Sequence, residues 1–303
     1  MVHRNGRKNL TRRGGRFPVW LAGLGWGVAA GVVAGSLVLA PALDGGAHGA
    51  AAPSAQETQH DSARADRAEA EAAAANELLV AEAPTLVEGT LTDSAVMLLR
   101  SPGVDPGQVD RLLELLDAAG ADPAGTLTLT EKFTSSEGAD QLGSIIANSL
   151  PAGTQLTVEN PSAATHAGES LADALTTGPD GTPRATPEDR ALVLDALTEA
   201  GYVTQDSDVV AADAVIIALG DVTSEDREFA GEGFAATAVA DFATALSARG
   251  VPVVVAYEGA GANQLEGALA SRGDHSVATH DVLDTEAGAI LTVRAVRSEL
   301  EAR

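Results

Sequence analysis

Two histidines and two aspartates flank one short predicted strand near residue 277, and they are the residues best suited to hold a metal ion. Asp274 and His275 begin the segment, and His280 and Asp281 end it. Imidazole beside carboxylate suits Cu(II) or Zn(II) better than Cu(I). Five residues of extended chain separate the two imidazoles by roughly 16 Å, so they cannot share one ion unless the chain folds back. The alternative is that these are surface histidines without a bound metal.

A glycine-containing turn offers a second possible chemistry. Gly259-Ala260-Gly261 follows a predicted strand and opens a predicted helix, and Asp281 comes about 20 residues later, as in a dinucleotide-binding turn. Gln264, however, occupies the third glycine position, and Glu258 would place a carboxylate beside a bound pyrophosphate. An ordinary turn between strand and helix is therefore the favoured interpretation.

Signatures of catalysis are otherwise missing from the sequence. It contains no G-x-S-x-G nucleophile elbow, no metalloprotease helix motif and no EF-hand loop. The absence of cysteine excludes disulfides, thiolate metal sites and cysteine nucleophiles. Met97 lies in a predicted buried strand, which leaves few soft ligands for Cu(I). We therefore expect a protein that is not an enzyme and has no resident cofactor.

Strands and helices alternate through the region that must position these residues. Asp105 is a predicted N-cap, followed by Pro106, and Gly120 ends that helix between strands 95–99 and 126–130. Continuous apolar strands between helices predict an α/β fold, a mostly parallel sheet with helices on both faces in Rossmann-like or flavodoxin-like layers. The predicted elements of the last third are strands 214–219, 252–257 and 275–279 and helices 232–248, 262–271 and 284–300.

Two helices of the domain carry apolar stripes predicted to face the core. The helix after Asp105 and the helix that begins at Thr186 both show a 3.6-residue period. The stripe residues are Val109, Leu112, Leu113 and Leu116 in the first helix and Leu192, Val193, Ala196 and Leu197 in the second.

Charge is divided sharply along the chain. Six of the 19 Lys and Arg residues precede Asp44, whereas all 43 Asp and Glu residues lie at or beyond it. The acidic region beyond Asp44 repels phosphate backbones, and it contains no stripe of basic residues. Nucleic acid is therefore not expected as a partner. Cations are the natural counter-species.

Residues 19–39 form 21 uncharged, mostly apolar residues. As a helix at ~1.5 Å per residue they span roughly 31 Å, which matches a hydrocarbon core. The basic residues before them place the N-terminus in the cytoplasm, so a single-pass topology with an extracytoplasmic C-terminal domain is predicted. A cleaved signal peptide is the alternative, because Ala40-Pro41-Ala42 has the small-x-small form and Arg12-Arg13 is similar to a twin-arginine signal.

Glycines recur every four residues in this apolar segment, which would create a smooth face on a membrane helix. Another helix could approach that face closely, so self-association in the membrane is a hypothesis. A general preference for small residues is the alternative. The four positions are Gly23, Gly27, Gly31 and Gly35.

The chain therefore divides into a basic cytoplasmic tail, a membrane helix, a linker, a stalk and a domain. The linker 40–60 is rich in Gly, Ala, Pro and Ser. The stalk 61–90 is Ala-rich, with a solvated or coiled-coil-like helix over 61–82 that Pro84 is expected to end. The tail covers 1–18, the membrane helix 19–39 and the extracytoplasmic α/β domain 91–303, with possible halves 91–180 and 186–303.

Several local segments resemble one known family. They are Leu129-Thr130-Glu131-Lys132-Phe133, the run from Asn148 to Leu156 (NSLPAGTQL), the run from Ala196 to Thr204 (ALTEAGYVT), the run from Phe242 to Gly250 (FATALSARG), and the run from Ser276 to Asp281 (SVATHD) leading to Ala287-Gly288.

On these segments, residues 94–296 resemble the MctB family, actinobacterial copper transport proteins described as residing in the outer membrane. The resemblance implies a role in copper homeostasis at the cell envelope, and copper is implied by it alone. None of the shared segments identifies a copper ligand. The longer basic leader and the shortened Ala-rich helix depart from the family pattern.

Three functions follow as expectations. The first is a membrane-anchored, non-enzymatic envelope protein that acts as an accessory or assembly component in copper homeostasis or efflux. The second is an extracytoplasmic module that binds a cation or ligand directly, and the third is a nucleotide-dependent enzyme using the Gly259 turn. Expected partners are the lipid membrane, other envelope proteins and a second copy of this chain through the glycine stripe.

Overall fold

The computed structural model describes residues 55–158, 161–220, 233–258, 262–273, 277–281 and 283–303. Within these ranges no helix is long and apolar enough to cross a membrane. The predicted membrane helix 19–39, its glycine stripe and the Gly259 turn lie outside the described residues. Residues Ala73–Arg303 form one compact unit.

Helices and strands alternate at the start of the domain and in its last third, as the sequence predicts, and three successive helices lie between them. The helices are α1 (Ala55–Val87), α2 (Pro106–Ala118), α3 (Ala139–Asn148), α4 (Ala163–Leu175), α5 (Pro187–Glu199), α6 (Phe234–Ala248), α7 (Ala262–Ser271) and α8 (Glu286–Ala302). The strands are β1 (Ala95–Arg100), β2 (Asp122–Leu129), β3 (Val203–Gln205), β4 (Ala214–Leu219), β5 (Val253–Tyr257) and β6 (Val277–His280), and a short 3-10 helix covers Glu131–Thr134.

The six strands form one mostly parallel sheet in the order β3-β2-β1-β4-β5-β6. Five strands run parallel, and β3 pairs antiparallel with β2 at one edge. The α/β fold with a mostly parallel sheet is therefore confirmed. The antiparallel edge strand is not among the predicted elements because three residues are too few to show an alternating pattern.

Both faces of the sheet are covered, since successive strand residues point to opposite sides. On one face Met97, Leu99 and Ile217 pack with residues of α3 to α7. On the other face Val96, Leu98 and Ile216 pack with the end of α1 and with α2 and α8. The chain thus forms three layers with the sheet in the middle.

The helix caps follow the predicted chemistry. The Asp105 side chain accepts a hydrogen bond from the Gly107 amide at the start of α2. The Thr186 hydroxyl accepts one from the Asp189 amide at the start of α5. Each side chain satisfies an amide that the first helical turn leaves without a backbone partner.

Three details of the predicted helices are wrong. Helix α1 continues past Pro84 to Val87, because Ala83 and Val87 are fully buried in the core and this packing offsets the hydrogen bond that proline removes. Leu113 in α2 and Leu192 in α5 are exposed rather than inward-facing. Leu115 and Leu194 are buried in their place, so each apolar face is rotated from the predicted one.

Candidate functional site at the carboxyl edge of the sheet

The carboxyl ends of the parallel strands meet at one edge of the sheet, where open α/β proteins commonly bind ligands. From β1 the chain crosses to β2 on one side, and from β4 it crosses to β5 on the other. The point between β1 and β4 is therefore a topological switch point. Of the predicted metal-binding residues, His280 and Asp281 lie at the same edge, at the end of β6.

Close backbone contact fills the switch point itself. The Ser101 amide donates to the Ala218 carbonyl at 2.9 Å, and the Gly220 amide donates to the Ser101 hydroxyl at 3.0 Å. A Cβ atom on Gly220 would lie only 2.1 Å from the carbonyl carbon of Gly103. The described parts of these two loops therefore pack on each other.

Beside this junction, α2 is connected to the end of β5. The Gln108 side-chain amide donates to the Glu258 carboxylate at 3.0 Å. The Gln108 Oε1 atom is buried and accepts no hydrogen bond from the described residues. The contact holds the Glu258 carboxylate directly after β5. Sequence reasoning considered Glu258 only as an obstacle to nucleotide binding.

A tyrosine and a glutamate lie at the end of β5. The Tyr257 hydroxyl donates to the Glu266 carboxylate of α7 at 2.6 Å. Burial raises the pKa of Tyr257 well above its ordinary value, and the carboxylates of Glu266 and Asp281 raise it further. The phenol therefore stays protonated at physiological pH and acts as a hydrogen-bond donor.

Two of the four predicted metal-binding residues are described. His280 ends β6 and is partly buried, and Asp281 follows it. Burial lowers the pKa of His280 below its ordinary value, while the Asp281 carboxylate opposes that shift. The imidazole is therefore mostly neutral at pH 7, the form that can bind a metal. Asp274 and His275 lie outside the described residues.

No metal centre is assembled by the described residues alone. They contain no cluster of three or more His, Asp or Glu side chains that could hold an ion. Another histidine of the domain, His166, contacts the backbone: its Nε2 atom lies 2.9 Å from the Thr157 carbonyl oxygen. Of the predicted ligands, the described residues bring together only His280 and Asp281, which are neighbours in sequence.

A buried arginine at the opposite edge of the sheet is absent from the sequence-based candidates. Arg190 on α5 is only 8% exposed and lines a pocket. The signal was present, because Arg190 precedes Val193, Leu194 and Leu197 by three, four and seven residues on one helix face. Because the predicted buried face of α5 included Leu192, which is exposed, Arg190 was not predicted to be buried.

The comparisons with known proteins place this domain among copper transport proteins. The family described as "Copper transport outer membrane protein, MctB" matches residues 16–303. The copper transporters MctB of Mycobacterium tuberculosis and Mycobacterium bovis are each 30% identical over 219 residues, covering 70% of this chain and 68% of the relative. The copper transporter MctB of Mycobacterium leprae is 26% identical over 219 residues, covering 69% and 68%. The chain therefore belongs to the MctB family of copper transport proteins.

Proposed function

We propose that this chain acts in copper homeostasis at the cell envelope as a non-enzymatic accessory or assembly component, anchored by residues 19–39. The observation that carries the proposal is the family match over residues 16–303, which includes the apolar segment and the α/β domain on one chain. Membership supports a role related to copper. The accessory character is our inference from a domain whose sheet is packed on both faces by helices.

Complementation tests this role. The full chain is expressed in a mycobacterial strain that lacks its own copper transporter MctB, and cell-associated copper is measured by mass spectrometry during growth in copper. We expect the chain to lower cell copper relative to an empty vector. A chain that is present at normal levels in the envelope and leaves cell copper unchanged would contradict the proposal.

Histidine variants distinguish an accessory role from direct metal binding. The double variant His275→Ala/His280→Ala is compared with His166→Ala, whose imidazole contacts the backbone. If the chain is an accessory component, both variants lower cell copper as the parent chain does. Loss of the effect in the double variant alone would favour the cation-binding module.

Direct cation binding is the second candidate, and the state of His280 favours it. A mostly neutral imidazole lies beside the Asp281 carboxylate at the carboxyl edge of the sheet. We propose Asp274 and His275, which precede β6 in the sequence, as a second candidate pair of ligands. Calorimetry with Cu(II) and Zn(II) on the purified full chain tests this: stoichiometric binding that His275→Ala/His280→Ala removes would support the module.

We propose a single-pass topology in the cytoplasmic membrane, with the domain outside the cytoplasm, although the family is described as outer-membrane proteins. Protease digestion of intact spheroplasts and separation of the two membranes test it.

Association through Gly27 and Gly31 is tested by crosslinking, since Gly27→Leu/Gly31→Leu should reduce dimers. Nucleotide-dependent catalysis at the Gly259 turn remains an alternative that a thermal shift with dinucleotides would reveal.

A further inference from the structure

A pocket of about 380 Å³ lies at the amino edge of the sheet, opposite His280 and Asp281. Its walls come from the start of β1, the segment before β4, the hairpin loop after α4 and the first turn of α5. Thr177 and Pro183 pair across the base of that hairpin loop. The volume falls within the range of small-molecule sites in proteins, roughly 300–1,000 Å³.

Arg190 provides a buried positive charge in this pocket. Its side chain is more than nine-tenths buried, and its Nε atom donates to the Ala174 carbonyl of α4 at 3.1 Å. Among the described residues, the Arg190 side chain makes no other hydrogen bond and no ion pair. Burial lowers its pKa, and no neighbouring carboxylate opposes that shift. The two terminal guanidinium nitrogens are therefore left for a partner from outside the chain.

Arg190 lacks a carboxylate partner, whereas other arginines of the same domain have one. A buried charge without a counter-charge is costly, so proteins normally pair it. Three arginines that are less buried than Arg190 each pair closely with a carboxylate. The pairs are Arg111 with Glu286 at 2.6 Å, Arg249 with Asp173 at 2.9 Å, and Arg272 with Asp241 at 2.6 Å.

Other charges at the pocket limit what can bind. Asp213 lines it, and its two oxygens accept hydrogen bonds from the Ala95 amide at 2.9 Å and the Thr177 hydroxyl at 2.6 Å. Arg184 and Arg303 donate to the Thr177 carbonyl at 3.0 and 2.7 Å. The Asp213 carboxylate disfavours a second concentrated negative charge nearby. A singly charged carboxylate therefore fits better than a phosphate dianion.

The remaining lining is apolar. The side chains include Val210, which is half exposed, and two prolines. A ligand with a short hydrocarbon body would bury apolar surface here while its charged group reaches Arg190. The apolar lining residues are Ala95, Pro183, Ala185, Pro187, Val210 and Ala211.

From these observations we propose that the pocket binds a carboxylate group carried on a small apolar body, with Arg190 forming the ion pair. The group can come from a free short-chain acid or from the C-terminus of a peptide, which share this chemistry. The site is independent of the proposed copper role, because its residues lie at the other edge of the sheet.

Calorimetric titration of the full chain, purified in detergent, tests the proposal. The probes are isobutyrate for a free acid, N-acetyl-alanine for a peptide C-terminus, isobutyramide as the neutral isostere of isobutyrate, and inorganic phosphate. We expect at least one carboxylate to bind at least about tenfold more tightly than isobutyramide and phosphate, as a charge-assisted hydrogen bond predicts. Which carboxylate binds more tightly distinguishes the two sources.

Two variants locate the binding. Arg190→Met should weaken carboxylate binding at least about tenfold while the melting temperature without ligand stays close to that of the parent chain, because an unpaired charge is removed. Ala211→Leu should weaken binding by filling the pocket while Arg190 remains. Arg294→Met on the exposed face of α8 is the matched control and should bind as the parent does.

Three results would overturn the proposal. They are equal binding of isobutyramide and the carboxylates, tighter binding of phosphate, and carboxylate binding that neither Arg190→Met nor Ala211→Leu weakens. If Arg190→Met does not fold, Ala211→Leu alone decides between binding in the pocket and binding elsewhere.

Discussion

Gly168 lies where helices α4 and α6 approach most closely, so Gly168→Ala tests the packing of one whole layer. A Cβ atom at this position would lie 2.6 Å from the Phe242 carbonyl oxygen and 2.7 Å from the Ala245 Cβ atom. Non-bonded carbon atoms ordinarily lie at least about 3.5 Å apart, so the two helices must move apart by about 1 Å. Because a backbone atom is involved, no rotamer change can relieve the contact.

The expected magnitude follows from two opposing effects. Overpacking of this kind costs typically about 1–3 kcal/mol, and the separated helices also lose contacts with their neighbours. The better helix propensity of alanine returns at most ~1 kcal/mol. We therefore expect a net loss of roughly 1–2 kcal/mol, which lowers the melting temperature by about 2–8 °C in a domain of this size.

Urea denaturation and calorimetry measure this loss. Gly143→Ala in α3 is the matched control, because the nearest atom its Cβ would meet is the Ala163 Cβ at an ordinary 3.8 Å. The control should be as stable as the parent or up to ~1 kcal/mol more stable. If Gly168→Ala is as stable as Gly143→Ala, the close approach of α4 and α6 is not a rigid constraint and the packing argument fails.

Three further predictions concern buried and partly buried polar groups. Arg111→Met should cost about 3 kcal/mol in urea denaturation, because it leaves the buried Glu286 carboxylate without its ion pair, and adding Glu286→Gln should recover part of the loss. Burial raises the pKa of Glu299, so the folded chain holds this proton more tightly than the unfolded chain and stability falls as pH rises through the ordinary carboxyl range. Glu299→Gln should therefore raise the melting temperature at neutral pH and leave it nearly unchanged at about pH 4, and equal effects at both values would contradict the assignment. Tyr202→Phe should cost about 1 kcal/mol by removing the 2.7 Å hydrogen bond to the Gly138 carbonyl, and an unchanged urea midpoint would show that this bond adds nothing.

The two edges of the sheet suggest different kinds of chemistry in one domain. At the carboxyl edge lie His280 and Asp281, which we propose as cation ligands. At the amino edge, Arg190 is held without a described counter-charge, which suits an anion. Because the sheet separates the two regions, a variant at one edge should leave binding at the other unchanged, and the proposed titrations can be performed on the same preparations.

Much of the fold was determined by the sequence itself. The runs in β1, β4 and β5 are short, continuous and apolar, and each is followed by a well-marked helix, so the parallel sheet followed from local pattern. Caps at Asp105 and Thr186 located two helix starts, because a cap depends only on residues within one turn. The family resemblance, which other local segments carry, was confirmed by the match over residues 16–303.

Only the tertiary structure decided which helix faces are buried and what the loops bring together. Leu113 and Leu192 satisfy the helical period as well as Leu115 and Leu194 do, and the choice depends on where the sheet lies against each helix. Pro84 is tolerated inside α1 because Ala83 and Val87 are buried against distant residues. The pocket around Arg190 joins segments nearly a hundred residues apart, from Ala95 to Pro187. Local sequence cannot contain such a site, because its geometry arises only when the strands pair and the helices pack.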